Sequence, residues 1–146
     1  RKSERGNAMV EFAVGFWFLW TMFCGVYQIG YSYYVYNSLL TACANAAELG
    51  ARLGYDTGSP STYTTALQNM VLYGDETAGT KAIVPNLTAG NVNVNVTVDT
   101  LGVPRDVTVS ITGYSINAIF TSYLLTGKPR ATSLYYGVVS CSQNCP

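Results

Sequence analysis

Apolar and polar positions divide the chain into three regimes. The first is a dense apolar run. After Glu11 the next charged residue is Glu48, and Phe12, Phe16, Trp17, Trp20, Phe23 and Tyr27 fall between them. A bilayer core needs about 20 apolar helical residues, and the run is long enough. Backbone in lipid must satisfy its own hydrogen bonds, so the run is expected to be helical. The helix is expected from about Asn7 to about Leu53, with its end marked by Gly54 and the turn-rich stretch Tyr55 to Pro60. Gly15, Gly25 and Gly30 interrupt it. Glycine weakens a helix in water but permits close helix approach in a membrane, and Gly25 to Gly30 is where this helix has room to bend or melt.

The second regime is rich in small residues. Ala42, Ala46, Gly50 and Gly54 recur at four-residue spacing. They form a smooth stripe, part of it expected to pack on the chain's own sheet and part to face neighbours. Glu48 and Arg52 make an i,i+4 pair worth about 0.3 kcal/mol. Ser61 to Tyr73 reads as a short helix with Ala66, Leu67, Met70 and Val71 on its apolar face, followed by loop from Glu76 to Ala89.

In the third regime the period falls to two. Val92, Val94, Val96 and Val98 alternate with polar residues, as do Val107, Val109 and Ile111, which predicts two paired strands. Ile116 to Leu125 is apolar without a period and is expected to be a loop or short helical turn. Ala131 to Ser140 reads as a third strand with Leu134, Tyr136 and Val138 on one face. Three strands with one apolar face need a cover, and the Ala-rich helix supplies it. The expected fold class is α+β: a long N-terminal hydrophobic α-helix plus a small head of about three antiparallel strands packed on its C-terminal half. The expected division is 1–54 for the helix and 55–146 for the head.

Composition sharpens this picture. Only 11% of the 146 residues are charged while 49% are hydrophobic, which suits a subunit that buries surface in lipid or in neighbours. Net charge is zero, so there is no electrostatic case for nucleic acid. No histidine is present, and no nucleophile–base, metal-ligand or phosphate-loop pattern appears, so neither an enzyme nor a cofactor is expected. Asp75 with Glu76, and Asp99 with Asp106, read as solvated turn residues. Cys24 and Cys43 are nineteen residues apart on one helix, roughly 28 Å, well beyond the ~7 Å reach of a disulfide. Cys141 and Cys145 are the disulfide candidate, the other reading being two thiols in a loose tail. Asn86 and Asn95 match the N-glycosylation pattern, which is short and common.

Arg1, Lys2 and Arg5 precede the apolar run and no basic residue soon follows it. The positive-inside rule then puts the N-terminus in the cytoplasm and everything after Tyr36 outside. A secretory signal has an apolar core of about 7–15 residues. This run is longer and contains Glu11, so it is expected to be retained. The aromatic residues supply packing area and suit membrane interfaces; without a redox motif they give no case for electron conduction.

The segment Arg5-Gly6-Asn7-Ala8-Met9-Val10-Glu11-Phe12-Ala13 resembles the Arg-Gly-x-Ala-x-Val-Glu-Phe-Ala opening of TadE-like proteins, the pilin-like proteins of the tight-adherence branch of type IV pilus systems. Ala46 to Arg52 resembles the family's Gly-Ala-Arg helix end, and Tyr73-Gly74-Asp75 and Pro85 to Thr88 are similar to later family segments. The resemblance implies a structural subunit of an extracellular pilus-like helical filament, a homopolymer assembled through its N-terminal helix. Phe12, Phe16, Trp17, Trp20, Phe23, Tyr27, Gly15, Gly25 and Gly30 would pack the filament core. The alternative is a single-pass inner-membrane accessory protein, a minor pseudopilin that aids assembly or adhesion without forming the fibre. The resemblance also implies a bacterial inner-membrane location before assembly, an extracellular one after it, and a secretion ATPase and platform protein as partners.

Glu11 is the residue of greatest interest. A carboxylate costs about 2.5–3.5 kcal/mol at the membrane centre and less near its edge. It either snorkels to the headgroups or pairs with a neighbouring subunit. In type IV pilins, which the chain resembles, a glutamate at mature position five pairs with the cleaved N-terminal amine. A cut between Gly6 and Asn7 places Glu11 fifth. The uncut form is the expectation here, and then Arg1, Lys2 or Arg5 of a neighbour supplies the positive charge.

Overall fold

A computed structural model describes residues 3–56, 59–100 and 103–137. Helix α1 spans Ser3–Arg52, helix α2 spans Pro60–Tyr73, and a 3₁₀ turn at Ala89–Asn91 leads into strands β1 (Val92–Val98), β2 (Pro104–Asn117) and β3 (Ser122–Leu134). Arg1 and Lys2, and the Cys141–Cys145 disulfide candidate, lie outside the described residues.

The 50 residues of α1 extend about 75 Å. The helix continues through Gly15, Gly25 and Gly30 without the melting that those glycines left open. Its two halves differ in surroundings. Every residue from Asn7 to Phe23 is exposed. From Cys24 onward one face is covered, with Cys24, Gln28, Val35, Leu39, Cys43, Ala46 and Gly50 buried at three-, four- and seven-residue spacing. That is the periodicity of a helix lying along a surface.

The head also closes the C-terminal end of α1, where helix geometry leaves the last carbonyls without partners. Leu53 N–H donates to the Leu49 carbonyl at 2.9 Å. The Tyr63 hydroxyl donates to the Gly50 carbonyl at 2.7 Å, and Tyr136 N–H donates to the Ala51 carbonyl at 3.0 Å. The Tyr135 hydroxyl donates to the Leu53 carbonyl at 3.0 Å and accepts from Tyr55 N–H at 3.1 Å. The Glu48–Arg52 ion pair forms on the exposed side.

Helix α2 begins with Pro60, whose missing N–H and fixed φ suit the first helical position. It ends at Gly74, in the left-handed region with φ 76°, whose N–H donates to the Met70 carbonyl. Its buried face is Tyr63, Leu67, Val71 and Leu72. Of the expected face, Leu67 and Val71 are buried and Met70 packs half-buried on the core, while Tyr63 and Leu72 join it.

Among the described residues, the strands form one antiparallel sheet in the order β1-β2-β3. Val94 sits opposite Val109, and Val109 opposite Ala131. Val107, Val109 and Ile111 are fully buried between β1, β3 and the helices. The expected loop or helical turn at Ile116–Leu125 is instead the extension of β2 and β3, joined only by residues 118–121. The register shifts between Ser110, Thr112 and Tyr114, around Gly113 at φ 73°. This bulge moves the inward set from 107, 109 and 111 to 114 and 116, so the alternation breaks in sequence while the strand continues.

The third strand is also corrected. It runs from Ser122 to Leu134 rather than from 131 to 140, and Val138 lies outside the described residues. Its expected apolar face is inverted, with Leu134 61% and Tyr136 73% exposed. The inward positions carry Pro129, Ala131 and Ser133. Here Ala47 and Ala51 of α1 and Ala131 and Ser133 of β3 line one cleft, small residues facing small residues. Pro129 is tolerated because β3 is an edge strand.

Candidate assembly surface

The surface that sets this chain apart is the apolar half of α1 that the head leaves uncovered. Phe12, Phe16, Trp20 and Phe23 follow one another at four- and three-residue spacing and so share a helix face. Their rings form a ridge, with centroids 6.3 Å apart for Phe12–Phe16, 6.3 Å for Phe16–Trp20 and 6.2 Å for Trp20–Phe23. Tyr27 and Tyr31 continue the spacing at 6.2 Å with nearly parallel rings. Trp17 is 73% exposed, and Phe18, Leu19, Met22 and Val26 are likewise open, so the apolar surface surrounds the helix rather than forming a stripe. A helix apolar all round is a buried or membrane helix. By length and composition, α1 from Asn7 onward suffices to cross a membrane.

The glycines fit the same surface. A methyl group added at Gly15, Gly25 or Gly30 would meet nothing within 4 Å. Among the described residues no contact requires glycine there. Gly50 is the contrast, because an added Cβ would lie 2.8 Å from Leu67 Cδ2 and from Tyr63 Oη. The stripe of Ala42, Ala46 and Gly50 is thus occupied by α2 and the sheet of the same chain, while Gly54 is exposed.

Glu11 is exposed and lies about one turn beyond Asn7. Arg5, Gly6 and Asn7 are within α1, so the Gly6–Asn7 bond is in helical backbone. Asn86 is exposed in the loop before the 3₁₀ turn, with φ 62°, and Asn95 is exposed on β1.

Titration in the head follows burial. Burial pushes the Cys43 thiol up from 9.0 to about 11. Burial, and then the neighbouring phenols of Tyr135 and Tyr55, raise Tyr63. Burial and Tyr31 raise Tyr114, whose hydroxyl donates to the Pro85 carbonyl at 2.9 Å. These groups are neutral packing elements. Among the described residues, no three His, Cys, Asp or Glu side chains gather as metal ligands.

Sequence reasoning missed Gln28 and the end of the head that rests on it. The Gln28 side chain is 6% exposed, and its Oε1 accepts the Phe120 N–H at 2.7 Å. This bond fastens the β2–β3 turn to α1. A lone amide in an otherwise apolar stretch was the available signal, since a buried polar group needs a partner.

Residues 6–52, which make up most of α1, match the family model described as TadE-like protein, a pilus-related family. No curated protein and no solved structure matches the chain.

Proposed function

We propose, taking the TadE-like character of residues 6–52 as the premise, that this chain is the structural subunit of a pilus-like helical filament. Before assembly α1 spans the inner membrane with its N-terminus in the cytoplasm and the head outside. On assembly the apolar halves of many copies leave the lipid and pack together as the filament core, with the heads on the surface. One observation carries this reading: every residue from Asn7 to Phe23, with the aromatic ridge and Gly15, is exposed and left uncovered by the rest of the described residues. Lipid alone demands only apolar side chains, whereas helix packing in a membrane gains from small residues and shape. Stacking along one direction is a heterologous contact that does not close and so gives a fibre. Glu11, the one charged residue from Asn7 to Phe23, is the group that fixes axial register between neighbours. By resemblance, a secretion ATPase and a platform protein drive extrusion.

The test separates insertion from assembly. Replacing Phe12, Phe16 and Trp20 together by Leu keeps the helix apolar and removes the ridge. The expected result is an unchanged membrane pool and loss of surface fibres. Undiminished fibre yield from this variant, or a wild-type chain confined to membrane fractions, would refute the subunit reading; the second outcome is the behaviour of an accessory membrane protein.

A further inference from the structure

The turn between β2 and β3 lies at a height along α1 that lipid must reach, if α1 spans a bilayer as proposed above. The exposed part of α1, from Asn7 to Phe23, is about 24 Å long, and a hydrocarbon core is about 30 Å thick. If the core begins at Asn7, about 20 helical residues carry it to residue 27; if it begins beyond the Glu11 carboxylate, at Phe12, they carry it to residue 32. Tilt would extend both limits. The outer boundary therefore falls between Tyr27 and Ser32, whereas the head already covers α1 from Cys24. The part of the head at this level is residues 118–121, held there by the Phe120 N–H to Gln28 bond at 2.7 Å.

The chemistry of this end matches its position. No charged residue occurs between Asp106 and Lys128. Ile119, Phe120, Tyr123 and Leu124 are all at least half exposed, with Phe120 at 63% and Leu124 at 64%. Tyr123 and Leu125 face Ile29 and Tyr33 of α1 across an open groove, so the apolar surface of the tip is continuous with that of the spanning helix. A little farther along the helix, Lys81 lies beside Tyr31 and Tyr34, at the level where headgroups would sit. At the other end of the sheet, β2 carries Arg105 and Asp106, and the exposed Tyr136, just past β3, bonds Ala51.

We propose that the β2–β3 tip is a second membrane contact, inserting Ile119, Phe120, Tyr123 and Leu124 at the outer headgroup–acyl boundary beside α1. The occupant of this apolar end before assembly is phospholipid. The Gln28 bond fixes how deep the head sits and hence how the head is oriented when a copy enters the filament.

The test uses the full chain, reconstituted in vesicles of phosphatidylethanolamine and phosphatidylglycerol at high lipid excess. Benzoylphenylalanine replaces Phe120, Phe16 or Tyr136, one per sample, and adducts are read by mass spectrometry after irradiation. Phospholipid adducts at positions 120 and 16, with none at 136, are expected. Lipid at 16 but none at 120, or cross-links from 120 to a second copy, overturns the tip contact and leaves the spanning helix standing. No lipid at 16 overturns the spanning helix, and the tip proposal with it. As an independent check, Phe120→Ser with Leu124→Ser alters only exposed side chains, and its head should melt unchanged. It should also gain protease access at residues 118–121 in vesicles; unaltered access would contradict the insertion.

Discussion

Gly50 offers the sharpest energetic test of the head, because three elements converge on it. Gly50→Ala adds one methyl group at a point 2.8 Å from Leu67 Cδ2, 2.8 Å from Tyr63 Oη and 3.0 Å from Val107 Cγ1. Two effects oppose one another. Alanine gains about 1 kcal/mol over glycine within a helix. Against it, overpacking in a filled core costs about 1–3 kcal/mol. Leu67 and Val107 are fully buried and Tyr63 nearly so, so none has room to yield. Displacing Tyr63 also breaks its 2.7 Å bond to the Gly50 carbonyl, and a buried carbonyl left unpaired costs about 1–3 kcal/mol. The balance is a loss of about 1–5 kcal/mol. For a domain of this size that is a fall in Tm of roughly 4–20 °C. Gly30→Ala is the matched control: its methyl group meets nothing within 4 Å, so only the helical gain remains. Thermal unfolding of both variants of the full chain in detergent, followed by near-ultraviolet circular dichroism of the tyrosines, reads the difference. A Gly50→Ala protein as stable as Gly30→Ala would refute the close three-way contact.

Other perturbations probe different parts of the account. Leu39→Ala empties a fully buried site beneath the sheet and should cost about 2–5 kcal/mol in the same melt. Because burial raises Cys43 from 9.0 to about 11, the folded thiol keeps its proton where the unfolded one has lost it. The head is therefore expected to hold full stability below pH 9.0 and to lose it as pH rises towards about 11, an effect that Cys43→Ala should reduce and urea titrations can read. Tyr63, also raised, extends the loss above its ordinary value of 10.0. Glu11→Lys should leave membrane insertion and the head's melt unchanged while fibre yield falls severalfold, scored by immunoblot of sheared material. Equal yield would remove Glu11 from the assembly contact.

The helix and the helix-on-sheet arrangement were legible because each rests on a strong local period. The apolar run, the Gly74 stop and the Val92–Val98 alternation all carry their signal within a few residues. What was illegible depended on contacts distant in sequence. The Gly113 bulge shifts the inward parity of β2, so the run from Ile116 to Leu125 looks aperiodic although it is strand. On β3 the sequence showed apolar residues at Leu134 and Tyr136, but the inner face carries Pro129, Ala131 and Ser133, the last two sharing a cleft with Ala47 and Ala51 of α1. Apolar pattern locates a strand; the size of the facing element decides which side is inward. For the candidate assembly surface, the structure adds to the aromatic and glycine positions that Phe12, Phe16, Trp20 and Phe23 lie exposed against one another and that an added Cβ at Gly15, Gly25 or Gly30 meets nothing within 4 Å. Gln28 escaped because its meaning depends on Phe120, which is 92 residues away.

The central claim is that copies of this chain polymerise through the uncovered half of α1. It is tested most directly by negative-stain microscopy of material sheared from cells, with mass spectrometry of the purified fibres. The account predicts long thin fibres composed mainly of this chain, with peptides from 7–23 protected from protease in the intact fibre. Fibres lacking the chain, with all of it recovered in inner-membrane fractions, would contradict the account.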